Sequence, residues 1–299
     1  MSLPLSHSHI AVSSLPGQPS YGRGIALTLA SSVLFAGTNA AAKWIMVGLP
    51  TGEMLWIRSV VALSLVSLFI GKAEIRALWS SGQLHLHALR IGCSAVEVGC
   101  FYWAISKTQL AEMTTIYLAS PIYVTALAAI FLREHVGWRR WTAVAAGFAG
   151  VLIAVHPTGH AVPPAAIVAV CGSMLYAISL VATRGVRATP STVLVAAQMG
   201  ALLLVSSTTI VAGWIVPTPM QAMVACAIGG VSMTAFWCVN QGLRLAPASA
   251  VAPFNYSSIL WATTLGYFVF GDVPALGTLA GAAVIVAAGL FIVLRGDRV

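Results

Sequence analysis

Of 299 residues, 59% are hydrophobic and 7% are charged, and the mean hydropathy is +0.92. Soluble domains carry about 25% charge, so this composition excludes one and indicates an integral membrane protein. The formal charge of +8 does not indicate nucleic acid, because no basic patch is interleaved with aromatics; the cations sit between apolar runs, where they report topology.

Residues 1–22 are polar and include His7 and His9. They show no apolar core or cleavage site of a secretory signal and are expected to form a disordered cytoplasmic tail. Ten apolar segments follow, at about 24–47, 53–71, 86–106, 111–132, 138–156, 163–184, 191–213, 219–243, 248–270 and 275–295. Gly, Pro or charged residues separate them, as loops require. A run of roughly 20 apolar residues crosses ~30 Å of hydrocarbon as a helix. The expected fold is all-α, with ten transmembrane helices.

Lys and Arg set the orientation. With the N-terminus inside, Arg23, Lys72, Arg76, Arg90, Arg133, Arg139, Arg140, Arg184, Arg187, Arg244, Arg295 and Arg298 fall on the inner side, and Lys43 and Lys107 on the outer. Twelve against two is a strong positive-inside bias. Both termini are therefore expected in the cytoplasm, as an even number of spans requires. Arg58 remains, inside span two.

Spans four and nine match. The first carries Pro121 and ends in Glu134; the second carries Pro253 and ends in Asp272. Proline frees a backbone carbonyl, tolerated where protein or water satisfies it. Other echoes keep the same order. Ala143, Ala149, Gly150 and Ile153 recur as Ala282, Ala288, Gly289 and Ile292; Leu34-Phe35-Ala36 recurs as Leu175-Tyr176-Ala177; Arg58 falls opposite Gln198. Five spans followed by five require the second half to enter from the opposite side. Residues 23–158 and 159–299 are therefore expected to be two inverted five-helix repeats, an organisation of secondary transporters that places the site near the midplane.

These features resemble the EamA-type, ten-helix branch of the drug/metabolite transporter superfamily. The resemblance rests on the two halves, the acids closing spans four and nine, the glycines Gly147 to Gly150 and Gly281 to Gly289, and Arg58. It covers about residues 24–295. Within that family the chain is most similar to the bacterial aromatic amino-acid exporters. The resemblance implies export of small metabolites by alternating access, through a site lined by spans one, three, four, six, eight and nine. Asp272 stands where the family more commonly has Glu.

The residues also speak without the family. Glu97 lies near the middle of span three and Arg58 about two turns into span two. Intramembrane charges cost about 2.5 kcal/mol or more and usually pair inside the bundle. Two readings follow: a structural Glu97–Arg58 ion pair, or a substrate or proton role for Glu97. Polar and aromatic residues recur at helical spacing. Span one offers Phe35 and Asn39, span three Phe101, span four Tyr117, span six Tyr176, and span eight Trp237, Asn240 and Gln241. Span nine offers Asn255 and Ser258 on one face, Ser257 and Trp261 on another. Apolar walls with a few placed polar groups suit a small organic ligand. The serines and threonines read instead as bonds between spans. Arg58, Glu134 and Asp272 read as structural or gating charges.

With one deep cation and one deep acid, a neutral or zwitterionic solute fits best, an amino acid being the simplest. The five cysteines show no metal spacing, and neither metal nor cofactor is expected. The expected partners are a small molecule and the lipid bilayer, with no nucleic acid; a monomer in a bacterial-type inner membrane suffices. An enzyme remains the alternative, though His-Glu-x-x-His, Gly-x-Ser-x-Gly and an acidic metal cluster are all missing. A channel is the other, though no repeated ring of ligands is evident.

Overall fold

The structure, a computed structural model, describes residues 21–71, 82–131, 138–155, 163–186, 189–210, 213–245 and 254–296. Among them are eleven α-helices and no strand: α1 (Tyr21–Ile45), α2 (Thr51–Ser67), α3 (Leu84–Ile105), α4 (Leu110–Tyr117), α5 (Ser120–Phe131), α6 (Trp138–Val155), α7 (Pro164–Gly185), α8 (Ser191–Ile210), α9 (Pro219–Leu245), α10 (Ser257–Phe270) and α11 (Leu276–Gly296). By length and composition α1, α3, α7, α8 and α9 are each able to cross a membrane. Prolines mark several starts: Pro50 precedes α2, Pro190 precedes α8, and Pro164 and Pro219 open α7 and α9. The first turn has no use for the missing N–H, and the fixed φ suits it.

The fourth apolar segment is two helices rather than one kinked helix. The ladder breaks at Leu118 and Ala119. Pro121 has no N–H to offer the Tyr117 carbonyl, so the bond that would join α4 to α5 is missing. Pro253, its expected counterpart, lies outside the described residues, as does Glu134.

Contacts at helix ends fix the directions. Gly48, just past α1, lies against Gln221 at the start of α9, and Gly242 near the end of α9 lies against Gly24 and Thr28. These two helices are antiparallel. So are α2 and α8, where Gly52 meets Thr209, and α3 and α7, where Arg90 reaches Thr183. In contrast α1 and α10 finish together, joined by an ion pair between Lys43 and Asp272. Gly271, at φ 69°, ends α10, and the Asp272 N–H turns back to the Gly266 carbonyl at 3.1 Å. That left-handed residue favours glycine, and it aims Asp272 at α1.

Between helices in a bilayer, close packing replaces the hydrophobic effect, so small residues line contacts. The antiparallel pair α6 and α11 follows this rule. A methyl added at Gly281 would stand 2.6 Å from the Gly150 carbonyl oxygen and from Ala154 Cβ. Two buried clusters bound the middle of the bundle. One joins Ile45, Met54, Ile105, Met113 and Ile228, and Phe101 and Tyr117 pack on it. The other joins Leu118, Ile122, Ala177 and Ile285, with Leu180 against it. Large apolar side chains such as Leu204 and Phe268 face outward, and Trp44, Trp138, Trp141 and Trp214 are exposed near helix ends, where an interfacial belt belongs.

Candidate functional site

A cavity of about 200 Å³ lies between these clusters. From α1 it is lined by Ser31, Ser32, Phe35 and Asn39, and from α7 by Tyr176, Ser179 and Thr183. Each set repeats every three or four residues, so each helix offers one face. From α3 come Arg90, Ser94, Glu97, Phe101 and Tyr102, and from α2 comes Arg58. Thr114, Tyr117, Leu118 and Ser120 surround the break between α4 and α5. Gln198 reaches in from α8, Asn255 and Ser258 from the start of α10, and Phe236, Val239 and Asn240 from α9.

The walls are aromatic pairs. Phe35 meets Phe236 edge to face at 4.9 Å, and Phe101 meets Tyr117 at 4.8 Å. Tyr176 lies 6.5 Å beyond Tyr117. The Tyr102 hydroxyl donates to Asn39 Oδ1 at 3.0 Å, fixing both.

Most hydroxyls do not join helices. Ser31 and Ser32 donate to the Thr28 carbonyl at 2.7 and 3.0 Å, Thr114 to Leu110 at 2.8 Å, and Ser258 to Asn255 at 2.7 Å. For these four hydroxyls this corrects the reading as bonds between spans. A short hydroxyl side chain reaches the carbonyl one turn back before it reaches a neighbour. Thr183 differs: it donates to the Ser179 carbonyl at 2.7 Å and accepts from Arg90 Nε at 2.9 Å.

The charges depart furthest from expectation. Arg90, placed among the inner-side loop cations, is 2% exposed and two turns inside α3. Its Nη1 also donates to the Leu194 carbonyl at 3.2 Å, tying α3 to α7 and α8. Arg58 is 1% exposed, with its guanidinium 5.0 Å from the Tyr102 ring centre and 5.9 Å from that of Phe236. Glu97 is 7% exposed on the same cavity. Of the two readings of Glu97, the ion pair with Arg58 is not formed: among the described residues the ion pair within 4 Å is Lys43–Asp272, at 2.9 Å. Both residues line the cavity, but they do not come within 4 Å of each other. Lys43 Nζ also sits 4.7 Å over the Phe270 ring. At the same end Glu53, buried at the start of α2, accepts the Ile215 N–H at 2.6 Å.

The structure thus brings Phe35, Asn39, Arg58, Glu97, Phe101, Tyr117, Tyr176, Asn240 and Asn255 to one cavity. Trp237 and Trp261 are instead 37% and 40% exposed, and they do not line it; nor does Gln241. On α9 the inward face runs through Phe236, Val239 and Asn240, one residue round from the face expected. On α10 it is the Asn255 and Ser258 face. Asp272 sits away from the cavity, at the rim, on Lys43. Arg90, Tyr102, Ser94 and Phe236 went unrecognised, although the i, i+4, i+7 spacing of Arg90, Ser94 and Glu97 marks a single face. Among the described residues no three His, Cys, Asp or Glu side chains gather as metal ligands.

The family model described as "EamA-like transporter family" matches residues 22–156 and again residues 163–294. A riboflavin transporter of Vibrio cholerae is 26% identical, over 90% of this chain and 92% of that protein. An S-adenosylmethionine uptake transporter of Rickettsia bellii is 23% identical, over 91% and 94%. A pseudopaline exporter of Pseudomonas aeruginosa is 26% identical, over 89% and 94%. None of these three is named for an aromatic amino acid. A crystal structure at 16% identity superposes with a TM-score of 0.68, covering 93% of this chain and 99% of its own, so the fold is shared.

Proposed function

The chain belongs to the EamA-like transporter family, and from that premise we propose that it carries a small organic solute through the central cavity by alternating access. The observation that carries this reading is the cavity itself: aromatic walls, amides, two arginines and one glutamate, enclosed by helices of both halves of a single chain. A lone protomer is therefore sufficient.

Two inverted repeats of five spans are part of the proposal, with α4 and α5 forming one broken span. The double match of the family model supports it. The directions of α8 against α2 and of α11 against α6 also support it, each running opposite to its counterpart five spans earlier. The packing pairs also exchange: α1 on α9 becomes α7 on α3, whereas α2 on α8 and α6 on α11 map onto themselves. A bacterial inner membrane with both termini in the cytoplasm follows from the cation count and from bacterial relatives. Labelling should then place residues near Lys72 and Arg139 inside and residues near Gly159 and Thr218 outside. Gly159 and Arg139 labelling from one side would overturn the span map.

The solute we propose is a neutral or zwitterionic amino acid, aromatic ones included. Pockets for drug-sized ligands run to roughly 300–1,000 Å³, and 200 Å³ is smaller. Relatives named for riboflavin and S-adenosylmethionine supply a second reading, because flat ring systems also suit these walls. Export is the direction implied by the family resemblance; the relatives include a named uptake carrier and a named exporter. Counterflow in proteoliposomes separates the readings. Labelled L-phenylalanine should accumulate against unlabelled phenylalanine inside. Riboflavin or S-adenosylmethionine counterflow without phenylalanine would overturn the amino-acid reading and keep the carrier. Turnover of a lipid or solute without counterflow would overturn both.

A further inference from the structure

Arg58 Nε and Nη1 are buried and have no hydrogen-bond partner. A buried charged donor left unmade is costly, more so than a neutral one. Arg90 shows how the same chain treats a structural arginine: two of its nitrogens are bonded to Thr183 and Leu194. Arg58 has instead the rings of Tyr102 and Phe236 about its guanidinium carbon. Tyr102 is in turn held by Asn39. Aromatic neighbours satisfy the cation but not its N–H groups. A guanidinium presents those groups as a planar fork that matches a carboxylate in two parallel bonds.

Glu97 lines the same cavity and forms no ion pair with Arg58. A separated cation and anion, each buried, complement a solute that carries both charges itself. We propose that Arg58 binds a carboxylate of the transported solute, with Glu97 receiving its ammonium and the Phe35–Phe236 and Phe101–Tyr117 pairs taking its apolar part. This rests on the amino-acid reading above and deepens it, by naming the group recognised and the residue that recognises it.

The test is ligand protection against thermal unfolding of the full chain in detergent. The probes are L-phenylalanine, L-phenylalaninamide, 3-phenylpropanoate, phenethylamine and riboflavin. Wild type should need at least about tenfold more amide than acid for the same shift, the loss expected of a charged hydrogen bond. Arg58→Gln should abolish that preference, and Arg58→Lys should restore part of it. Without ligand, Arg58→Gln should melt close to wild type, because no protein hydrogen bond of Nε or Nη1 is lost; were it not to fold, Arg58→Lys supplies the comparison. Equal protection by acid and amide would overturn the proposal, as would an Arg58→Gln protein that keeps the preference. Phenylalanine counterflow at the wild-type rate in Arg58→Gln would overturn it and leave the carrier standing. Protection by riboflavin alone would remove both the amino-acid reading and this one.

Discussion

At the rim of the bundle opposite charges meet; at its centre they do not. Lys43 and Asp272 close to 2.9 Å, partly exposed, and hold the ends of α1 and α10 together. Arg58 and Glu97 are far more buried, where isolated charge costs most, yet they line one cavity without forming an ion pair. A pair that needs only each other serves shape. A pair held apart in a place where water is scarce is complementary to something that comes and goes. On the proposed reading, the rim serves closure and the centre recognition.

The largest effect should come from breaking the centre. Arg58→Gln and Glu97→Gln should each reduce transport about tenfold to a hundredfold, matching charged hydrogen bonds of ~1.5–3 kcal/mol. The double variant sharpens the contrast. A direct ion pair would let Glu97→Gln with Arg58→Gln recover stability and activity; separated residues predict no recovery in counterflow. Next comes Gly281→Leu, which overpacks the α6–α11 contact at the Gly150 carbonyl. It should destabilise by about 1–3 kcal/mol, read as a lower melting temperature. Arg90→Met removes two bonds of a charged donor, ~1.5–3 kcal/mol each, against which the desolvation cost of the buried arginine is returned; it should lower the melting temperature and loosen α3 from α7 and α8.

The rim should give the smallest stability effect. Lys43→Ala or Asp272→Asn should change stability by about 0–1 kcal/mol, as partly exposed pairs do. Their effect should fall on access instead. A cysteine placed at Asn39 should label faster from outside once the pair is removed, and a Lys43→Asp with Asp272→Lys exchange should slow it again. Unchanged labelling in all variants would mean that the rim does not close the cavity.

The helices were legible because a bilayer demands long apolar runs with breakers between them, and each apolar segment does contain helix. The inward faces of α1 and α7 were legible because polar residues recur there every three or four positions among apolar ones. The face of α9 was not. Trp237 looks like a ligand wall in sequence, yet Phe236, one residue and about 100° round, takes that place, because helical pattern alone does not say which side the neighbours are on. Arg90 was hidden by its position near a span end, where the positive-inside rule counts any cation; only packing against α7 and α8 reveals it as internal. Glu97 and Arg58 were found by depth, but depth fixes height and leaves azimuth open, so their separation needed the structure. The break at Leu118 was signalled by Pro121 but placed by the lost Tyr117 bond.

A structure determined with a solute that shows counterflow tests the central claim most directly. Its carboxylate should lie within ~3 Å of the Arg58 guanidinium nitrogens, as a charged hydrogen bond requires, with its ammonium toward Glu97 and its apolar part between Phe35, Phe236 and Tyr117. A solute bound at the Lys43–Asp272 rim, or on the outer faces of the helices with the central cavity empty, would contradict the account.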